Sequence, residues 1–350
     1  MARVWCFPGE ENRHSNPYTA ILIGQLRRLG HSPSSPGWKE RFTGTCDILH
    51  LHWPQKVIQP GLLRSLRTIA AWAVFLALQK ARGAKIVWTM HNAVSHEQLR
   101  PRLERFWMAR FMALLDGIHA MSESSLAQAR LRHPVLTRIP ALVAPHWTYS
   151  GAYPPPAATI GLRRDTVSFL GDIKGYKGLD DMLAALENAE PDSRRYLVHG
   201  LPESPAEATA LEARLAALSG RGWRMEWVLT RLSDQEMADR LNETLILLLP
   251  YRRGENSGLA ILAAERGTPV MVSGISAFSG LLDELGPPRV TAITAPLSHR
   301  QIAEAAQAAA AVAGAVPLHF VARRSPERVV AEISNYYLFL MDSGGRKLPR

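Results

Sequence analysis

Short apolar runs alternate with longer amphipathic stretches along the whole chain. In the first 150 residues, positions 4–8, 47–53, 85–90 and 117–121 read as strands, and 17–29, 62–82, 99–115 and 126–131 as helices. Gly30 stops the first helix, Pro54 ends the second strand and Pro134 closes the last helix. The alternation breaks between 145 and 165, where Tyr149, Gly151, Tyr153 and the run Pro154, Pro155, Pro156 form a stiff extended stretch. It then restarts, with strands near 166–170, 196–199, 225–229, 244–249, 270–272 and 290–293. Helices are expected at 178–186, 206–218, 234–242, 259–265, 299–313 and 326–340. The uncharged run 305–322 reads as the end of a helix followed by a buried strand.

Strands separated by helices imply right-handed βαβ units and parallel sheets. Two doubly wound α/β domains are expected, 1–150 and 151–325, with the helix in 326–350 returning to the first. Ligands would bind in a cleft at the carboxyl ends of the strands. A length of 350 residues suits two cores, and 47% hydrophobic with 21% charged residues excludes a disordered chain.

Charge sharpens this picture. The formal net charge is +10, but residues 1–150 hold 19 Lys+Arg against 8 Asp+Glu, and residues 151–350 hold 22 against 23. The basic first half therefore favours an anionic partner: nucleic acid, an anionic membrane or a phosphorylated substrate. Cys6 and Cys46 lie in strand-like runs without metal-ligand spacing and are expected reduced and buried, as in a cytosolic protein. Only 12 uncharged residues separate Arg67 from Lys80, too few to cross a bilayer, and no signal-like core opens the chain.

Two runs carry candidate chemistry. FLGDIKGYKG (169–178) joins a strand to a helix through a glycine turn, with Lys174 and Lys177 flanked by Gly175 and Gly178. Two ammonium groups there suit a diphosphate, although on an ordinary turn they would simply be solvated. LLLPYRRGENSGLAILAAERGTPVMVS (247–273) carries an apolar strand into a polar loop with Tyr251, and then to Ser257 and Gly258 at a helix start. Ser257 is a good N-cap, and the amides after it form an anion site.

Together the runs resemble the donor half of GT-B glycosyltransferases related to family 4. Lys177 and Gly178 match that family's lysine and glycine, Ser257 and Gly258 its phosphate-binding helix start, and Gly267, Thr268, Pro269 and Val270 the turn after it. The chain departs from the pattern where Asp172 replaces an arginine and where Gly254 and Leu262 replace two glutamates, so Lys174 would supply the second positive charge. In the first half, Asn16-Pro17-Tyr18, DILHLHWP and WTMHNAVSHE resemble bacterial exopolysaccharide glycosyltransferases, with the xanthan-type β-mannosyltransferases of family 94 the nearest group.

The resemblance implies an inverting transfer of mannose from GDP-mannose to a polyprenyl-diphosphate-linked oligosaccharide. Lys174, Lys177, Gly178, Tyr251, Ser257 and Gly258 would hold the donor, and Asn16, Tyr18, His52, Asn92 and His96 the acceptor. The general base would be His91 or Glu97, both of which follow the strand at 85–90. His50 and His52, two apart on a strand, are weak as a metal pair, and no aspartate-x-aspartate pair is present, so no metal or other cofactor is expected. Arg100, Arg105, Phe106, Trp107 and Arg110 would rest on an anionic membrane, placing the protein peripherally at the cytoplasmic face of the inner membrane.

Three other readings compete. One is a retaining family 4 transferase using a UDP-sugar. Another is a basic nucleic-acid-binding protein, although no recognised module or aromatic strand motif supports it. The third is a dinucleotide-dependent oxidoreductase, which FPGEEN after the first strand does not support.

Overall fold

The computed structural model describes residues 1–14, 16–91, 99–157, 164–254 and 257–342. The chain divides into two compact units, Met1–Trp147 with Arg324–Arg350, and Thr148–Arg323. The first unit begins with β1 (Arg3–Phe7), α1 (Tyr18–Arg28), β2 (Ser32–Ser34), α2 (Trp38–Thr43), β3 (Ile48–Leu51) and α3 (Leu62–Ala81). It continues with β4 (Lys85–Met90), α4 (Pro101–Met112), β5 (Gly117–Ala120), α5 (Glu123–Arg132) and β6 (Ala141–Val143). All its strands are parallel, in the order β2-β1-β3-β4-β5-β6.

Alternation along β1 sends its side chains to two cores. Trp5 and Phe7 join Phe75 and Leu76 of α3 and Phe111 of α4, whereas Val4 and Cys6 join Tyr18 and Leu22 of α1 on the other face. Cys6 and Cys46 are free and buried, as expected, and burial pushes both thiols up to about 12.

The second unit runs β7 (Thr166–Leu170), α6 (Leu179–Glu187), β8 (Arg195–His199), α7 (Pro205–Gly220), β9 (Arg224–Val228), α8 (Asp234–Glu243) and β10 (Thr244–Leu249). It ends with α9 (Gly258–Glu265), β11 (Val270–Ser273), α10 (Ser276–Leu285), β12 (Val290–Ile293), α11 (His299–Ala309) and α12 (Leu318–Arg323). The sheet is parallel in the order β12-β11-β10-β7-β8-β9. Every residue of β10, TLILLL, is buried, as a central strand covered on both faces requires. The buried strand expected near the end of 305–322 is absent: Leu318–Arg323 is a short helix that buries Phe320.

The last helix, α13 (Pro326–Asp342), belongs to the first unit. Its Val330, Ile333 and Tyr337 pack with α1. The Tyr336 hydroxyl accepts from Ile118 N–H at 2.9 Å and donates to Pro140 O at 2.7 Å, so α13 is stitched to β5 and the chain before β6.

Candidate functional site

In the second sheet, the chain crosses to opposite edges on either side of the neighbours β7 and β10. The carboxyl ends of two such strands form the crevice where doubly wound sheets take ligands. After β7 the chain turns at Gly171 (φ +91°) and makes one 3-10 turn at Gly175–Lys177. It enters α6 through Gly178 (φ +73°), where any side chain would overlap the carbonyl oxygen of Pro250 after β10. The two expected donor segments are therefore neighbours.

Lys177 is half-buried, with Nζ 3.6 Å from where a Cβ on Gly171 would stand and 5.9 Å from the Tyr251 ring centroid. Burial pushes its ammonium down to about 8; Lys174 adds to that shift and Asp172 opposes it. The two lysines thus share one field, and anionic charge delivered to it would restore the full charge of Lys177. Asp172 lies 3.6 Å from Arg231.

Ser257 caps α9, its Oγ accepting from Ala260 N–H at 3.3 Å and bonding to the Tyr251 hydroxyl. The Gly258 and Leu259 N–H groups of the first turn have no partner inside the helix and point an anion-binding end outward. Arg252 grips Asp181 through two hydrogen bonds, 2.8 and 3.2 Å, and its N–H reaches Tyr176 O at 2.7 Å, pinning the loop after β10 to the turn after β7.

Sequence reasoning missed Tyr149. Its hydroxyl packs against the Gly258 backbone, where a side chain would not fit, and its N–H donates to Glu265 at 2.5 Å. Burial raises the Glu265 carboxyl to about 7. Leu262, in place of a family glutamate, is buried in the core, and Gly254 sits at φ +149°.

In the first unit, five buried histidines gather around the carboxyl ends of β3, β4 and β5. His91 stacks on Trp53 (ring centroids 4.4 Å, 21°) and meets Tyr18 edge-on at 4.6 Å, and its Nε2 lies 3.2 Å from His52 Nδ1. Beside this pair the hydrogen bonds fix a direction. His119 Nε2 must donate to Ala144 O (3.0 Å), so Thr89 donates to His119 Nδ1 (3.1 Å). His50 Nε2 then donates to Thr89 (2.6 Å), and the Tyr337 hydroxyl to His50 Nδ1 (2.6 Å). All the rings in that chain are neutral. No cluster among the described residues suits a metal ion.

Several expected contacts take other roles. Tyr18 is fully buried and stacked on Trp147 at 3.8 Å, which makes it core rather than acceptor surface. The Asn16 side-chain oxygen accepts from Tyr18 N–H at 2.9 Å and serves the start of α1. Trp107 is turned inward, its indole donating to Pro54 O at 2.8 Å, and faces no membrane. Arg105, Phe106 and Arg110 do face solvent, with the Arg110 guanidinium 5.3 Å over the Phe106 ring, and Arg100 reaches Pro60 O. Asn92, His96 and Glu97 lie outside the described residues. The helix α3 is, by length and composition, long enough and apolar enough to cross a membrane; here one side of it packs on the sheet.

The histidines predict acid sensitivity. Burial lowers His119 and His146 to about 4 and holds His50, His52 and His91 well below 6.5. Between those values and 6.5 the unfolded chain binds more protons, so stability is full above about 6.5 and falls as pH drops, by up to about 1.4 kcal/mol per pH unit for each ring. Calorimetry at pH 7, 6 and 5 should show a steeply falling Tm; a flat profile would mean that the rings protonate within the fold.

No protein-family model matches the chain. Two curated relatives, both named GDP-mannose:glycolipid 4-beta-D-mannosyltransferase and both from Xanthomonas campestris pv. campestris, are 25% identical over 280 residues, covering 79% of this chain and 75% of theirs. Among solved structures, sucrose-phosphate synthase from Thermosynechococcus elongatus aligns at TM-score 0.70 and 15% identity, covering 98% of this chain and 100% of that one. Anabaena HepE in complex with UDP and glucose aligns at 0.67 and 12%, covering 96% and 99%. The two parallel six-stranded sheets are those of the GT-B fold, and the expected likeness to GT-B glycosyltransferases and to a bacterial mannosyltransferase is borne out.

Proposed function

We propose that this chain, a glycosyltransferase of the GT-B fold, transfers mannose from GDP-mannose to a polyprenyl-diphosphate-linked oligosaccharide during exopolysaccharide assembly, with inversion and without a metal. The observation that carries the reading is the 25% identity, over most of both chains, to enzymes named for GDP-mannose and a glycolipid acceptor. The presence of Lys174, Lys177 and the start of α9 at one strand crossover supports it.

In the reaction, the acceptor oxygen attacks the anomeric carbon as the bond from that carbon to the GDP phosphate oxygen breaks. The hydroxyl proton passes to a base, His91 in this reading, and GDP leaves as an anion. Lys174, Lys177 and the Gly258 and Leu259 amides stabilise the charge that develops on the diphosphate, the role a divalent ion plays in other transferases. For His91 to take the proton at Nδ1, its Nε2 must carry hydrogen and donate to His52 Nδ1, which makes His52 a positioning residue.

A peripheral position at the cytoplasmic face of the inner membrane fits the first unit. The helix α3 exposes Leu62, Leu63, Leu66 and Val74, and α4 exposes Phe106 among Arg102, Arg105 and Arg110.

A donor screen tests the reading. Calorimetry should show GDP-mannose binding with UDP-glucose and UDP-glucuronate at least about tenfold weaker. Turnover should be unchanged in EDTA, and NMR of the product should show a β-linked mannose. A preference for UDP-sugars, loss of activity in EDTA or an α-linked product would overturn it.

A further inference from the structure

Beyond β7 the chain keeps to the end of β8. Gly171 N–H donates to His199 O at 3.0 Å, and Ile173 N–H to Leu201 O at 2.8 Å. Ile173 packs on the core built with α6, α7 and α11, to which α8 and α9 add nothing, so alternation turns Asp172 and Lys174 toward the face of α8 and α9. In β8, Tyr196 and Val198 join the same core, which turns His199 to the α8 and α9 face as well. His199 is in register with Leu170, the last residue of β7, and Val228, the last of β9. It is 1% exposed, and neither ring nitrogen has a hydrogen-bond partner among the described residues. Burial lowers its pKa, aided by Arg240 and opposed by Glu236 and Glu226. The neutral ring thus keeps one N–H and one lone pair unanswered, which costs stability unless a ligand meets them.

Asp172, two residues past β7, faces Arg231, in the loop after β9, at 3.6 Å. Because β8 lies between those strands, the pair crosses the end of β8 where His199 sits. The separation is too long for a hydrogen bond and the two side chains are 62% and 39% exposed, Arg231 the more so, which makes the contact weak and easily exchanged. Asp172 is also the carboxylate that opposes the lowering of the Lys177 pKa, so the guanidinium stands at the rim of the donor crevice. The opposite flank is filled: after β10 the Tyr251 ring packs on Phe278 of α10 at 5.6 Å, and Gly254 lies in contact with Ile275 and Ala277.

We propose that Arg231 selects the base of the nucleotide donor. With the diphosphate at the end of β7, the ribose lies over β8 and the base at the loop after β9, two strand spacings or about 10 Å away. Arg231 leaves Asp172 and donates two N–H groups to O6 and N7 of guanine. Adenine, with an amino group in place of O6, and uracil, with no N7, do not match that planar fork. His199 bonds a ribose hydroxyl, which both donates and accepts and so suits a neutral ring in either tautomer. The inference rests on the GDP-mannose donor proposed above and assigns its guanosine to particular side chains.

Calorimetry on the full chain tests it, at about 0.15 M salt, where the field of an exposed charge is screened within about 8 Å. IDP, which keeps O6 and N7 but lacks the 2-amino group, should bind about as tightly as GDP, with ADP and UDP at least about tenfold weaker. Arg231→Leu should weaken GDP and IDP by about tenfold or more and leave UDP and inorganic pyrophosphate nearly unchanged. His199→Leu should weaken GDP by about tenfold, leave 2′,3′-dideoxy-GDP and pyrophosphate unchanged, and raise the Tm of the empty protein, since it removes two unanswered nitrogens.

Arg231 is exposed and His199→Leu keeps most of the side-chain volume, and if one variant fails to fold the other still decides. Equal loss of GDP, UDP and pyrophosphate in Arg231→Leu would place Arg231 on the diphosphate and overturn base selection, as would IDP binding as weakly as UDP. A raised Tm with GDP affinity intact in His199→Leu would make His199 an ordinary core group and overturn the ribose contact. A parent chain that binds GDP no better than UDP would overturn the donor reading together with this subsite. GDP preferred by the parent and equally by Arg231→Leu would overturn the subsite alone.

Discussion

Lys177→Ala lowers kcat by about 10²–10³-fold, the usual cost of removing one group aimed at a charge that appears in the transition state. Tm should be held or raised, because the substitution removes a poorly solvated ammonium whose pKa burial has already pushed down to about 8. That shift gives the prediction a second readout. With an anionic diphosphate beside it, the lysine regains its proton, so GDP binding near and above pH 8 takes up protons and its affinity falls as pH rises through 8. Calorimetry in two buffers of different ionisation enthalpy measures the uptake directly. Lys177→Arg, charged at every accessible pH, should bind GDP with no such dependence. An alanine variant with parental kcat, or proton uptake that survives in the arginine variant, would remove Lys177 from the diphosphate site.

His91→Gln lowers kcat by about 10²–10⁴-fold with GDP-mannose affinity unchanged, since a general base acts on the acceptor and leaves donor binding alone. Burial and its histidine neighbours hold the His91 pKa well below 6.5. The sign follows: the ring must be neutral to accept a proton, so kcat/KM should stay on its plateau as pH falls through 6.5 and decline only beneath it. His52→Phe keeps an aromatic ring but removes the nitrogen 3.2 Å from His91 Nε2. It should lower kcat, alter the acidic limb and spare KM for the donor. The alternative base, Glu97, is tested by Glu97→Gln. If that variant loses more turnover than His91→Gln and alone abolishes the acidic limb, the base is Glu97.

Much of the fold was legible because parallel sheets write themselves as short apolar runs between amphipathic ones. The run TLILLL, buried at every position, is one example. Lys177, Ser257 and Gly258 were legible too, since glycines and a cap at strand ends leave local marks. Their nearness across some 80 residues came from strand order, which sequence alone does not print. Tyr149 at Gly258 and Trp53 on His91 were hidden for the same reason: each is a long-range pair with no local periodicity. Trp107 was a different case. Glu104, Trp107, Met108, Phe111 and Met112 form the buried stripe of α4, whereas Phe106 and Arg110 fall off it. The helical period separates core from surface along this helix, which the mere presence of aromatic and basic residues does not.

The first unit is built from two ends of the chain. The Tyr337 hydroxyl that fixes the direction of the histidine chain, and the Tyr336 hydroxyl that serves Ile118 and Pro140, are translated long after the strands they complete. During synthesis, residues 148–323 emerge as one uninterrupted segment and can finish their sheet first, while the earlier 147 residues wait for the last helix. Order of emergence and order of completion are thus reversed, and a ribosome stalled before residue 326 would present a finished second unit together with a first unit whose α1 face is still uncovered.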